Sequence, residues 1–274
     1  MKSSFPKEVR SRSPRNTQIP DFSVDLVASL LPLTLRHERE ARGLFLLEGL
    51  RCVHLALETD CLETLLFAVD APFPTQQLVR TARENGVHCV AVEDACLLQL
   101  ACGEDPQGVI GVGARRPLSL SEAFADEGVW IALESVQKPG NLGSIIRTAE
   151  AAGARGVIAV GSQIDFFAPS VIRSSMGAFF AQKLVRASWN EVLDFKIQRE
   201  VAWLGTCLDD AVSYDSAPYP RDFWLWMGDE QSGLSERTLN QCDARLSIPM
   251  QGRVDSLNLG VATGIVLFGA RRKK

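Results

Sequence analysis

Three times in its second half the chain runs from an apolar, strand-length segment into a polar loop carrying glycine: 129–133 into 134–143, 223–227 into 228–233, and 244–248 into 249–258. Apolar runs this short and unbroken read as strands buried on both faces, as in a parallel sheet. Strands at 157–160, 183–185 and 201–206 alternate with helices at 142–152, ended by Gly153, and at 170–179 and 189–198, while Ser235 caps a short helix. The alternation sets the class as α/β, a mostly parallel sheet with helices on both faces. In such sheets ligands sit at the carboxyl ends of the strands, so three glycine-bearing loops at those ends imply one shared pocket. Neither GxGxxG nor GxxxxGK followed by Ser or Thr occurs, which sets aside the two common nucleotide fingerprints.

The last loop leads into a helix, in the stretch IPMQGRVDSLNLGVATGIVLF at 248–268, with Leu259, Val261, Ile265, Val266 and Phe268 as its core positions. Each glycine inside that helix costs about 1 kcal/mol relative to alanine, so something must approach its backbone closely. Ser256 and Asn258 stand at the helix mouth, where orphan N–H groups meet a ligand or a side-chain cap. Asn141 is the expected N-cap of the 142–152 helix. Arg147, six residues on, would pass on its own for a surface ion pair with Glu150 or Glu134, and Glu230 for a solvated turn carboxylate. His37, His54 and His88 all fall in the first half, so the glycine-loop half has no histidine base and no Ser-His-Asp triad.

The first half reads as a smaller α/β domain over 21–116, joined by a linker at 117–127 to a second domain at 128–274. Its elements are a helix over 21–40 interrupted near Pro32, strands at 44–47, 64–69, 87–92 and 109–112, and helices at 50–57 and 78–85. Residues 1–20, rich in Ser, Pro and Arg, read as a disordered basic arm. A formal net charge of −4 argues against a protein that coats nucleic acid indiscriminately. Locally, Arg36, Arg39 and Arg42 form a basic cluster suited to phosphate, and residues 271–274 end the chain in a basic run. The seven cysteines show no CxxC pairing and no zinc-finger spacing, so they read as reduced thiols, and no metal is expected. No apolar stretch has membrane-spanning length and the start lacks a signal-peptide core; a cytoplasmic protein is expected.

Together PGNLGSIIRTAEAAGARGVIAVG at 139–161, WMGDEQSGLS at 226–235 and IPMQGRVDSLNLGVATGIVLF at 248–268 resemble the three motifs of the SpoU (TrmH-type) family. These are S-adenosylmethionine-dependent RNA 2′-O-ribose methyltransferases of the SPOUT superfamily. RHEREARGLFLLEGLRCVHLAL at 36–57 and DPQGVIGV at 105–112 are similar to the L30e-like substrate-binding domain that often precedes this module. The resemblance implies a deep trefoil knot near the C-terminus, which general topology rules would have excluded. It places Asn141, Arg147, Glu230, Ser256 and Asn258 on the family's functional positions. It also places the cofactor S-adenosylmethionine against backbone near Thr206, Met227, Gly228, Ile248, Met250 and Leu257, and implies a homodimer through the second domain. One departure is Asp229-Glu230-Gln231, where many members carry Ser-Glu-Gly or Asn-Glu-Gly; it bears on local loop shape.

The family proposal makes the arginine, here Arg147, the base that activates the 2′-hydroxyl. A guanidinium holds its proton too tightly for that, so the preferred role is a clamp on the RNA phosphate that orients the hydroxyl, the proton leaving late or through Glu230 or water. Ribosomal RNA is favoured as substrate over transfer RNA, because L30e-like domains bind structured RNA. The rivals are a non-catalytic RNA-binding factor on the same fold, which would not bind S-adenosylmethionine, and a nucleotide-binding α/β protein, which the missing fingerprints disfavour.

Overall fold

A computed structural model describes residues 23–272 apart from 104, 105, 124, 126, 209 and 255. The expectation for residues 1–20 lies outside the described residues, as do Asp255 and the last two lysines. In the first domain α1 (Ser23–Leu30) gives way at Pro32 to a single 3-10 turn, Leu31–Thr34, and then α2 (Arg36–Arg42), ended by Gly43 in the left-handed region at φ 65°. Then come β1 (Leu44–Glu48), α3 (Leu50–Glu58), β2 (Leu62–Ala68), α4 (Phe73–Glu84), β3 (His88–Val92), α5 (Asp94–Leu100) and β4 (Val109–Ala114). The sheet order is β1-β4-β2-β3, with β4 antiparallel to both its neighbours. Two points differ from the sequence reading. The α4 helix starts five residues earlier than 78 because Pro74 occupies its first turn, where a missing N–H costs nothing. The α5 helix, which seven residues of weak periodicity concealed, packs Leu97 and Leu100 into the core.

Residues 117–127, expected as a linker, are partly built into the second domain. Leu118 forms a parallel bridge with Val185, and a short helix α6 (Leu120–Ala123) follows. The second domain continues as β5 (Val129–Glu134), α7 (Pro139–Ala151), β6 (Gly156–Val160), α8 (Pro169–Ser174), α9 (Ala178–Ala181), β7 (Lys183–Ala187), α10 (Trp189–Arg199), β8 (Ala202–Thr206), β9 (Val212–Ser213), β10 (Phe223–Met227), α11 (Glu236–Leu239), β11 (Ala244–Ser247) and α12 (Leu259–Arg271). The helix expected over 170–179 is broken into α8 and α9 because Met176 and Gly177 take φ of 53° and 94°. Seven strands run in the order β7-β6-β5-β10-β8-β11-β9, every pairing parallel. Both faces are buried, which is why the strands read as unbroken apolar runs: Trp130, Trp203, Trp224 and Trp226 pack on one face, Ile131, Leu133, Leu204 and Leu225 on the other.

The two domains share a core. Phe45 of β1 meets Phe167 and Phe179 of the second domain at ring-centroid distances of 5.1 and 5.6 Å, and those two rings meet each other at 5.5 Å. Around the rings lie Cys52, Val53, Ile172 and Phe180. Burying aromatic faces from both sides contributes about 1.5–3 kcal/mol per ring, enough to hold the domains in one arrangement.

The glycines of the last helix have their partner. A Cβ on Gly260 would stand 2.9 Å from the Cβ of Ser144, and one on Gly264 3.4 Å from Cγ2 of Thr148, so α12 lies against α7 along its small residues. Gly260→Ala is therefore expected to cost about 1–3 kcal/mol in a thermal or urea melt, more than Gly264→Ala, because only the first forces the helices apart. An unchanged melt for Gly260→Ala would mean that the helices separate without cost.

Candidate active site

Parallel strands deliver their carboxyl ends to one edge of the sheet, and the loops that leave β5, β10 and β11 meet there. Three side chains tie the loops together. Asn141 of α7 donates from Nδ2 to Oε1 of Glu230, in the loop after β10, at 2.6 Å. Asn258 donates from Nδ2 to Oδ1 of Asn141 at 2.8 Å, while its own Oδ1 accepts the N–H of Gly260 and Val261 at 3.0 and 3.4 Å. Asn258 thereby caps α12 through its oxygen and gives one of its two N–H donors to Asn141, and the carboxylate of Glu230 fixes the orientation of both amides.

Asn141 is not the cap expected from the sequence. Lys138 is the N-cap, Pro139 opens the helix, and Asn141 lies inside its first turn, buried, with its side chain turned to the neighbouring loops. Arg147 is exposed on the same helix and makes no ion pair with Glu150 or Glu134. Ser256 is exposed in the loop two residues before the α12 cap.

The Gly228–Gly233 loop is held by Asp229. Its N–H and carbonyl exchange bonds with Gly233, both at 3.0 Å, and its Oδ1 accepts the N–H of Gln231 and Ser232 at 2.9 and 3.0 Å. Those backbone N–H groups, Ser232 first, hold the Asp229 carboxyl below the usual aspartate range. The departure from the family's Ser or Asn at this position thus keeps the acceptor and adds charge. Gly228 has no room for a side chain, since a Cβ would lie 2.1 Å from the backbone of Gly233.

Glu134, read from sequence only as a partner for Arg147, instead clamps the start of α11. It accepts from Ser235 N and Oγ at 3.0 and 2.8 Å and from Thr238 Oγ1 at 2.9 Å. Ser135 beside it has φ 60°, a left-handed conformation that a serine adopts at some cost and that turns the chain sharply off the strand end. An acid ending an apolar strand, opposite a Ser-x-x-Thr cap, is the signal that could have found the pair.

Among the positions assigned to cofactor, Thr206, Met227 and Ile248 lie at the carboxyl ends of the neighbouring strands β8, β10 and β11. Thr206 donates from Oγ1 to the Trp226 carbonyl at 3.1 Å. Met227 is buried, Ile248 and Met250 are half-buried, and Leu257 is 37% exposed, so the edge ends in a rim of accessible apolar side chains.

The basic cluster needs correction. Arg39 is buried, donating to the carbonyls of Leu33 and Thr34 at 2.8 Å each and pairing with Asp165 of the second domain at 2.5 Å. Arg36 reaches the Gln163 carbonyl at 3.0 Å and pairs with Glu40, and Arg42 pairs with Glu38. Arg36 and Arg39 brace the domain seam, Arg42 stays within the first domain, and Arg39 has no surface to offer a phosphate.

Residues 128–268 match the model of the SpoU rRNA Methylase family, and residues 26–111 match that of the MRM3-like substrate binding domain. A 23S rRNA (guanosine(2553)-2′-O)-methyltransferase of Bacillus subtilis is 28% identical over 239 residues, spanning 87% of this chain and 93% of its own. A 23S rRNA (uridine(2479)-2′-O)-methyltransferase of Streptomyces viridochromogenes is 32% identical over 250 residues, spanning 87% of this chain and 86% of its own. The AdoMet-bound rRNA methyltransferase from Sinorhizobium meliloti superposes with a TM-score of 0.82 at 34% identity, covering 90% of this chain and 94% of that one. With the family model matched across the whole seven-stranded domain and the substrate-binding model across the four-stranded one, the chain belongs to the SpoU rRNA Methylase family.

Proposed function

We propose that this chain methylates a ribose 2′-hydroxyl of ribosomal RNA, with S-adenosylmethionine as donor. The observation that carries the reading is the hydrogen-bonded line Glu230, Asn141, Asn258, which binds the three strand-end loops into one site in a chain of this family. The relatives' activities on 23S rRNA support the substrate class, and ribosomal RNA is preferred over transfer RNA on that ground.

The residues present fit the donor molecule. Apolar surface at Ile248, Met250 and Leu257, over the buried Met227, suits the adenine and thioether portions, and Gly252 has open space where a Cβ would stand. Backbone groups near Thr206, Gly228 and Ile248 would complete the cradle. Bound there, S-adenosylmethionine supplies an electrophilic methyl group on its sulfonium. Arg147, charged and exposed at the flank of α7, clamps an RNA phosphate and thereby orients the ribose hydroxyl; Asn141, Ser256 and Asn258 hold the loops that receive the ribose; Glu230, or a water beside it, takes the proton late in the transfer.

Two structural expectations belong to the same reading. β10 lies between β5 and β8, and β11 beyond β8, yet α12 returns to α7; that path supports a trefoil knot. Val261 and Phe268, expected to face the core, are instead 52% and 49% exposed; seven residues apart on α12, they support a homodimer through this helix. No described helix is long and apolar enough to cross a membrane, and we place the protein in the cytoplasm with its ribosomal substrate.

The test is calorimetric titration with S-adenosylmethionine followed by mass spectrometry of nucleosides from rRNA incubated with the protein and donor. Binding together with a new 2′-O-methylated nucleoside is expected. Failure to bind the donor would favour the non-catalytic RNA-binding rival, and methylation confined to transfer RNA would move the substrate.

A further inference from the structure

With Arg39 buried and Arg36 turned to the Gln163 carbonyl across the seam, the expected cluster does not carry the phosphates of a bound RNA by itself, and other exposed cations are needed. Between the first domain and the mouth of the site three follow one another across the seam. Arg51, exposed at the start of α3, donates from Nε to the Met176 carbonyl at 2.8 Å. Arg173 lies one turn before Met176, whose N–H it accepts at 3.2 Å; its side chain is 45% exposed and donates to Glu48 at 2.6 Å. Its neighbour Ser174 donates to the Pro139 carbonyl at 3.4 Å, and Lys138, the exposed N-cap of α7, comes next. The line thus steps from α3 to α8 to α7 and stops three residues short of Asn141.

We propose that Arg51, Arg173 and Lys138 form the track along which the RNA phosphate backbone runs from the substrate-binding domain to the methyl-transfer site. The proposal rests on the reading of the chain as an RNA methyltransferase. Exposed cations on long side chains suit contacts to phosphate that carry position rather than sequence. The acid within the line does not oppose them, because the Glu48 carboxylate is buried and accepts from Arg173 and from the N–H of Cys102 and Gly103. The rival surface is a cavity of about 560 Å³ in the first domain, which has Asp70 and Asp94 on its wall; like charge disfavours a phosphate there.

Binding of a fluorescein-labelled, mixed-sequence single-stranded RNA to the full chain, measured across a salt series, tests the track. Each of Arg51→Ala and Lys138→Ala is expected to lower the slope of log affinity against log salt by about 0.7, which is roughly fivefold weaker binding near 0.1 M salt, and the double variant by the sum. The control Arg80→Ala, an 84% exposed arginine on α4 outside the line, should leave the slope unchanged. Unaltered slopes in both track variants, equal losses in the control, or no salt-dependent binding by the wild type would overturn the proposal. Donor binding and rRNA methylation by the wild type, run alongside, separate this failure from failure of the functional reading.

Discussion

Arg147→Ala is expected to lower methyl transfer at saturating RNA by at least about a hundredfold, with donor affinity and melting temperature close to wild type. The magnitude is that of removing one preorganised charged donor from a reacting centre. Arg147 is suited to that role because its helix is anchored elsewhere: Ser144 and Thr148 seat α12, and Asn141 holds the loops. Its own side chain is exposed and takes no part in that packing, so truncation should cost the fold no more than about 0.5 kcal/mol. Arg147→Lys keeps the charge but loses the planar fork that grips two phosphate oxygens, and should recover only part of the rate. A rate within threefold of wild type for the alanine variant, on the same RNA, would remove Arg147 from the site.

What was legible in the chain and what was not divides along sequence distance. The strands, the glycine loops and the need for a close neighbour at Gly260 and Gly264 are local properties of composition, and Ser144 and Thr148 supply that neighbour. Pro139 was also a local signal, a proline at the first helical position, and it fixes Lys138 as the cap; weighing asparagine's capping preference above it misplaced Asn141. Arg39 is another matter. Its partner Asp165 lies 126 residues away, and nothing in a run of arginines distinguishes a buried brace from a phosphate ligand. The Glu134 clamp on Ser235, 101 residues apart, was hidden for the same reason.

Glu48→Ala is expected to destabilise the protein by about 3 kcal/mol, at the lower end of the cost of breaking a buried pair because Arg173 keeps part of its hydration. For a chain of this size that corresponds to a fall in melting temperature of roughly 6–12 °C. The carboxylate accepts four bonds at once: Arg173 Nη1 at 2.6 Å on one oxygen, and Cys102 N, Cys102 Sγ and Gly103 N at 2.7, 2.9 and 3.2 Å on the other. Removing it orphans two amides and takes one partner from Arg173 where β1 of the first domain meets α8 of the second. The thiol gives an independent readout. Burial first, and then the bond to Glu48, push the Cys102 thiol up to about 11. A thiol raised in this way contributes stability below its unfolded value near 8.5, and that contribution is lost as pH climbs toward 11. In Glu48→Ala the carboxylate's share of the shift disappears, so Cys102 should react with iodoacetamide at pH 8.5 several times faster than in wild type, under conditions where both remain folded. Glu48→Gln, which keeps the shape and one acceptor, should fall between the two in both measurements. A melt within 1 °C of wild type with unchanged thiol reactivity would mean that the seam is held by the Phe45, Phe167 and Phe179 rings alone.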